Sequence, residues 1–148
     1  MTASTRRRTL IAASLYVAML SLATPPEARA QAGAFQGAWL EEGGACSSVF
    51  VSKGRAIAFR RPAAAFAPAF IVAGQRLATP LATCRIVRMT AQGDRQMLNL
   101  SCTTTVSSDS ARAVFALAEG GTLNRYLGPE GGLATKYQRC GQDSLKPP

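Results

Sequence analysis

Any acid-base chemistry in this chain has to come from carboxylates, because the other usual groups are missing. There is no histidine, so Ser-His-Asp and Cys-His arrangements are excluded. Beyond residue 30 the lysines are Lys53, Lys136 and Lys146, and none completes a Ser-x-x-Lys pattern. The carboxylates there are Glu41, Glu42, Asp94, Asp109, Glu119, Glu130 and Asp143. A glycosidase needs two of them held about 5 to 9 Å apart across a cleft. Glu41 and Glu42 are adjacent, so in a strand they face opposite sides. Asp94, Glu119 and Glu130 fall at turn signals, where acids need no catalytic explanation. The expectation is a protein with no catalytic residues, with a carboxylate-dependent hydrolase as the distant alternative.

Cysteine is the other reactive type. Cys46, Cys84, Cys102 and Cys140 are spaced too widely for a zinc site and have no histidine to join them. No metal and no cofactor is expected. An even number of cysteines reads as two disulfides with three connectivities if the chain is exported, and residues 1–30 say that it is. Arg6, Arg7 and Arg8 are followed by a mainly apolar stretch from Leu10 to Ala23, then by Pro25, Pro26 and a small-residue site at Ala28-Arg29-Ala30. That order is a cleavable signal peptide, in ordinary or loose twin-arginine form. The apolar stretch is shorter than the roughly 20 residues that span a bilayer, so no membrane anchor is expected after cleavage. The mature chain would start at Gln31 and form one β domain over 31–148, periplasmic or secreted.

The chain holds 17 Lys and Arg against 8 Asp and Glu, a net charge of +9. Residues 1–30 contain four of the arginines and one glutamate, so the mature domain keeps about +6. Lys53, Arg55, Arg60 and Arg61 form a candidate basic face for an anionic envelope component or an acidic protein. Arg85, Arg88 and Arg95 form a second, looser group. Stacking aromatics are not interleaved with these residues, so no specific nucleic acid is expected.

The elements that must position these groups are short apolar runs separated by Gly, Pro, Asp and Gln, with no run of helical length keeping a 3.6-residue period. That pattern predicts an all-β fold, a meander of about eight or nine short antiparallel strands closed as a small barrel or packed as a sandwich. Strands are expected near 36–40, 47–51, 55–59, 70–72, 82–89, 96–104, 112–117, 122–127 and 134–139, and the segment 62–68 as an irregular crossing between prolines. The clearest hairpin is 82–104. A three-residue loop at Gln92-Gly93-Asp94 sets Ala91 opposite Arg95, Ile86 opposite Leu100 and Cys84 opposite Cys102. Neighbours of that kind lie close enough for a bridge after modest adjustment. Cys84–Cys102 is therefore the expected disulfide, and Cys46–Cys140 follows by elimination.

In the first strand, Gly37-Ala38-Trp39 resembles the Gly-x-Trp opening of lipocalin-type and avidin-type (calycin) barrels. The resemblance implies that Trp39 packs at the closed end of a barrel beneath a late-strand arginine, for which Arg139 is the matching position. ATCRI at 82–86 and YQRC at 137–140 also resemble small periplasmic proteins without an assigned activity. A calycin-like reading gives a binding protein for an apolar small molecule, with Trp39, Phe50, Phe59 and Arg139 as candidate ligand-binding residues. Inward residues Phe50, Ile57, Phe59, Ile86, Leu98 and Phe115 then line a cavity or fill a core. A protein-interaction or inhibitor domain using the basic face is the alternative from another class.

Overall fold

A computed structural model describes residues 33–146 of the chain. The segment read as a signal peptide and the expected mature terminus Gln31 lie outside the described residues. Ten strands follow one another: β1 (Gly37–Glu41), β2 (Phe50–Lys53), β3 (Ala56–Phe59), β4 (Ala69–Ala73), β5 (Arg76–Ala78), β6 (Thr83–Gln92), β7 (Arg95–Thr103), β8 (Ser108–Ala118), β9 (Thr122–Gly128) and β10 (Gly131–Cys140). A single helical turn, α1 (Cys46–Val49), precedes β2, and a short 3-10 turn spans Asp143–Leu145.

Eight strands close an antiparallel barrel in the order β1-β10-β9-β8-β7-β6-β5-β4, while β2 and β3 form a separate hairpin. With that hairpin set aside, each barrel strand pairs with the next in sequence and β1 with β10 seals the ring, an up-and-down closure that leaves no free sheet edge. The barrel, not the sandwich, is the fold. Three barrel and hairpin turns explain the glycines that matter. Gly54, Gly74 and Gly93 each open a two-residue turn at φ 61, 59 and 62, with no positive φ at the residue after them. That is the type II′ geometry, which demands glycine at its first central position and whose twist matches the flanking strands.

The barrel wall has a core on each side. On β1, Trp39 points inward, and Ala38 and Leu40 point outward. The inner core gathers Phe35, Trp39, Phe70, Leu77, Leu98, Phe115, Leu123 and Tyr137. The outer core is made where the β2–β3 hairpin folds back over β1 and the end of β10, burying Ala38, Leu40, Phe50, Ala69 and the Cys46–Cys140 pair. Phe50 and Phe59 are directly paired across the hairpin, with ring centroids 5.3 Å apart. The alternation of apolar residues on β2 and β3 is thus satisfied against the outside of the barrel.

Both expected disulfides are present. Cys84 is opposite Cys102 and Ile86 opposite Leu100, as the hairpin reading required. The route to that register differs. The turn holds two residues, Gly93 and Asp94, so Ala91 pairs with Gln96 and Gln92 with Arg95. A bulge at Val87 inserts one extra residue on β6, with Arg88 opposite Asn99 and Ile86 opposite Leu100. The shorter turn and the bulge cancel, and the cysteines meet. Two other expectations are corrected. Residues 47–49 belong to α1, since Ser48 N and Oγ both donate to Ala45 O and close a helical turn before the strand begins. The three-residue β5 was not anticipated, being shorter than any pattern of alternation can reveal.

Candidate functional site

The barrel is shut at one end and open at the other. At the shut end Trp39 is fully buried, and its indole Nε1 donates to Phe35 O at 2.9 Å. Arg139, its partner on β10, holds its guanidinium carbon 4.5 Å from the Trp39 ring centroid. The same guanidinium donates to Gln36 O at 2.7 Å and Ala34 O at 2.6 Å, tying the incoming segment across the barrel end. Gly37 stands beside this group at φ +127, and a Cβ there would come within 3.4 Å of Arg139 Nη1. Glycine at 37 therefore serves both the backbone conformation and the space for the arginine. Replacing Arg139 with Met is expected to lower stability by roughly 1–2 kcal/mol, from two charge-assisted hydrogen bonds and one cation–π contact. It should also shift Trp39 emission to longer wavelength as water reaches the indole. Unchanged emission and an unchanged urea midpoint would remove Arg139 from the closure.

Above Trp39 the aromatic rings form a floor. Phe70 and Phe115 stack with centroids 5.1 Å apart at 6°, and Tyr137 tilts against Phe70 at 5.1 Å. Trp39 contacts Phe70 from below at 6.4 Å. Above this floor, the interior holds a cavity of about 470 Å³, which opens between the crossing at 65–69 and the β5–β6 loop at 79–82. Its walls are mostly apolar or small: Phe70, Leu77, Leu100, Ala111, Ala113, Phe115 and the Cys84–Cys102 bridge. Space exists there because β8 presents alanines, Ala111 and Ala113, where the lower barrel presents Phe115. Polar groups are few: Thr79, Arg112, Tyr137 and Arg125, whose strand position opposite Phe115 and Thr135 turns it inward. Among the described residues no ion pair reaches Arg125.

The residues singled out from sequence are distributed differently. Trp39 and Arg139 come together at the shut end, beneath the floor and outside the cavity lining. Phe50, Ile57 and Phe59 belong to the outer core, so they do not line the cavity. Ile86 and Leu98 pack with the inner core, and Phe115 alone of that inward set reaches the cavity wall. The supposed basic face is divided. Lys53 and Arg55 sit at the tip of the β2–β3 hairpin, and Arg60 and Arg61 follow its base. Arg60 is also engaged, donating from Nε and Nη2 to Ser47 O at 3.2 and 2.7 Å. Four strand residues, at about 3.4 Å each, separate tip from base, so the four basic residues fall into two pairs.

The carboxylates do not converge either. Among the described residues no Asp or Glu lines the cavity. Glu42 pairs with Lys136 at 3.8 Å, Asp94 with Arg95 at 3.9 Å and Asp143 with Lys146 at 2.7 Å, all at the surface. Among the described residues, no helix is long and apolar enough to cross a membrane. The chain matches no family model, no curated protein and no solved structure.

Proposed function

We propose that the protein is an exported, non-catalytic binding protein that takes an apolar small molecule into the open end of its barrel. The observation that carries this reading is the cavity itself. At about 470 Å³ it lies within the roughly 300–1,000 Å³ range of small-molecule sites, and like them it is mostly apolar with a few polar groups at fixed places. Its lining has neither the carboxylate nor the histidine that hydrolysis would require, which supports binding over turnover. The up-and-down closure with Trp39 beneath Arg139 supports the calycin-like reading of Gly37-x-Trp39. Two disulfides support a periplasmic or secreted location, since such bonds persist outside the reducing cytosol.

Titration with a neutral apolar dye such as N-phenyl-1-naphthylamine tests the reading. The oxidised protein should bind it saturably, with enhanced emission from the dye. Ala111→Trp places a large ring in the mouth and should weaken binding by about tenfold or more, because the space is what the ligand uses. An unaltered circular dichroism spectrum would show that the barrel survives the change. Dye binding that is absent, or indifferent to Ala111→Trp, would overturn the proposal.

A further inference from the structure

The outer wall of β5 to β8 is a surface of a different character. Arg76 on β5 is directly opposite Arg85 on β6, and Arg85 is opposite Ser101 on β7. In the neighbouring row, Arg88 on β6 and Arg112 on β8 flank Asn99 on β7. All four arginines are exposed. The bulge at Val87 is what makes this possible. Residues three apart in a regular strand face opposite sides, so without the extra residue Arg85 and Arg88 could not both leave the barrel. Bulges re-aim side chains in this way.

Like charges directly opposite one another on a sheet are destabilising, and this wall supplies no remedy. Among the described residues no ion pair reaches any of the four arginines, and none of the outward positions of β5 to β8 is acidic. Between the arginines lie hydroxyls and an amide. A polar cleft of about 480 Å³ runs along Arg76, Thr83, Arg85, Ser101 and Thr103. From β5 to β8 the arginines span three strand spacings, about 14 Å.

We infer that this wall docks an acidic polysaccharide, the arginines meeting its carboxylates or sulfates and the Ser, Thr and Asn side chains its sugar hydroxyls. A bilayer surface fits less well. Peripheral binding needs apolar anchors beside the charges, and among the outward strand positions of this wall the large exposed apolar residue is Val87; Phe66 and Leu81 border the cavity instead, and Val106 is confined to the β7–β8 turn. Single-stranded nucleic acid needs rings to stack on, and Tyr126, at the margin of the wall, is already covered by Arg95 at 3.8 Å. Of the four arginines only Arg112 also borders the cavity, and the wall stands whether or not an apolar ligand binds there.

The test is titration calorimetry of the oxidised domain with polygalacturonate, with neutral dextran, phosphatidylglycerol vesicles and duplex DNA as comparators. Polygalacturonate should bind, and binding should weaken steeply as salt is raised. Arg85→Ser with Arg112→Ser should reduce affinity roughly tenfold, since each exposed charge contact is worth a modest amount and two are removed. Lys53→Ser with Arg55→Ser, the same loss of charge at the hairpin tip, should change it by less than about twofold. If the first pair fails to fold, Arg76→Gln with Arg88→Gln addresses the same wall. Equal losses from wall and hairpin pairs, or tighter binding to vesicles or DNA than to polygalacturonate, would overturn the assignment.

Discussion

Trp39→Ala will lower the stability of the domain by about 4 kcal/mol, the range measured for truncating a fully buried large aromatic. Trp39 is 0% exposed and packs beneath Phe70, so the truncation removes burial and leaves a void between the barrel end and the aromatic floor. Phe35 O loses its indole donor as well. Trp39→Phe separates these contributions. It retains most of the packing but not the hydrogen bond, and should cost about 1–2 kcal/mol. Urea unfolding followed by far-ultraviolet circular dichroism suits both variants, because neither retains the chain's single tryptophan. The midpoint should fall with an unchanged m-value, as expected for a loss of native packing. Two midpoints equal to that of the parent protein would contradict the placement of Trp39 as the barrel's plug. The alanine variant carries a second consequence. Opening the floor deepens the cavity, so apolar dye binding should survive in Trp39→Ala while it fails in Ala111→Trp, which places the ligand above the floor.

How much of this was legible from sequence follows the physics of each feature. Strand existence was legible because alternation and turn residues are local; Gly54, Gly74 and Gly93 each marked a hairpin turn. The Cys84–Cys102 pairing was reached through a register that holds near the cysteines and fails near the turn, where the loop is one residue shorter. A bulge such as the one at Val87 has no local signature, since its cause is the curvature of the closed sheet. The outer core was read as inner for a related reason. Phe50 and Phe59 alternate as barrel-facing residues would, and only the excursion of β2 and β3 out of the ring decides which surface they cover. The cavity was illegible because it is an absence of volume, the joint result of the small Ala111 and Ala113 on β8, Leu100 beside them on β7 and Leu77 on β5. The arginine wall was half legible: Arg85 and Arg88 stood together in sequence, but Arg76 and Arg112 join them only through strand pairing.

Removing the Cys46–Cys140 bridge, as Cys46→Ala with Cys140→Ala, should destabilise the domain more than removing Cys84–Cys102 in the same way. The first bridge joins residues 94 apart and the second residues 18 apart. On the chain-entropy account these closures are worth about 4–5 and about 3 kcal/mol, because the longer loop takes more freedom from the unfolded chain. Native packing works in the same direction. Cys46 and Cys140 sit in the outer core with Phe50, Ala38 and Leu40, so their loss also loosens the hairpin from the barrel, whereas Cys84 and Cys102 remain neighbours in a continuous β6–β7 ladder without their bond. Chemical denaturation of the two double variants gives the order directly, and a larger loss from the Cys84–Cys102 pair would refute it. The bridges are remote enough for their effects to be nearly additive. Together they amount to about 7–8 kcal/mol, against the roughly 5–15 kcal/mol that holds a typical domain folded. The reduced chain should then stand at the edge of unfolding, so the same barrel that offers a cavity and an arginine wall when oxidised would offer neither in a reducing compartment.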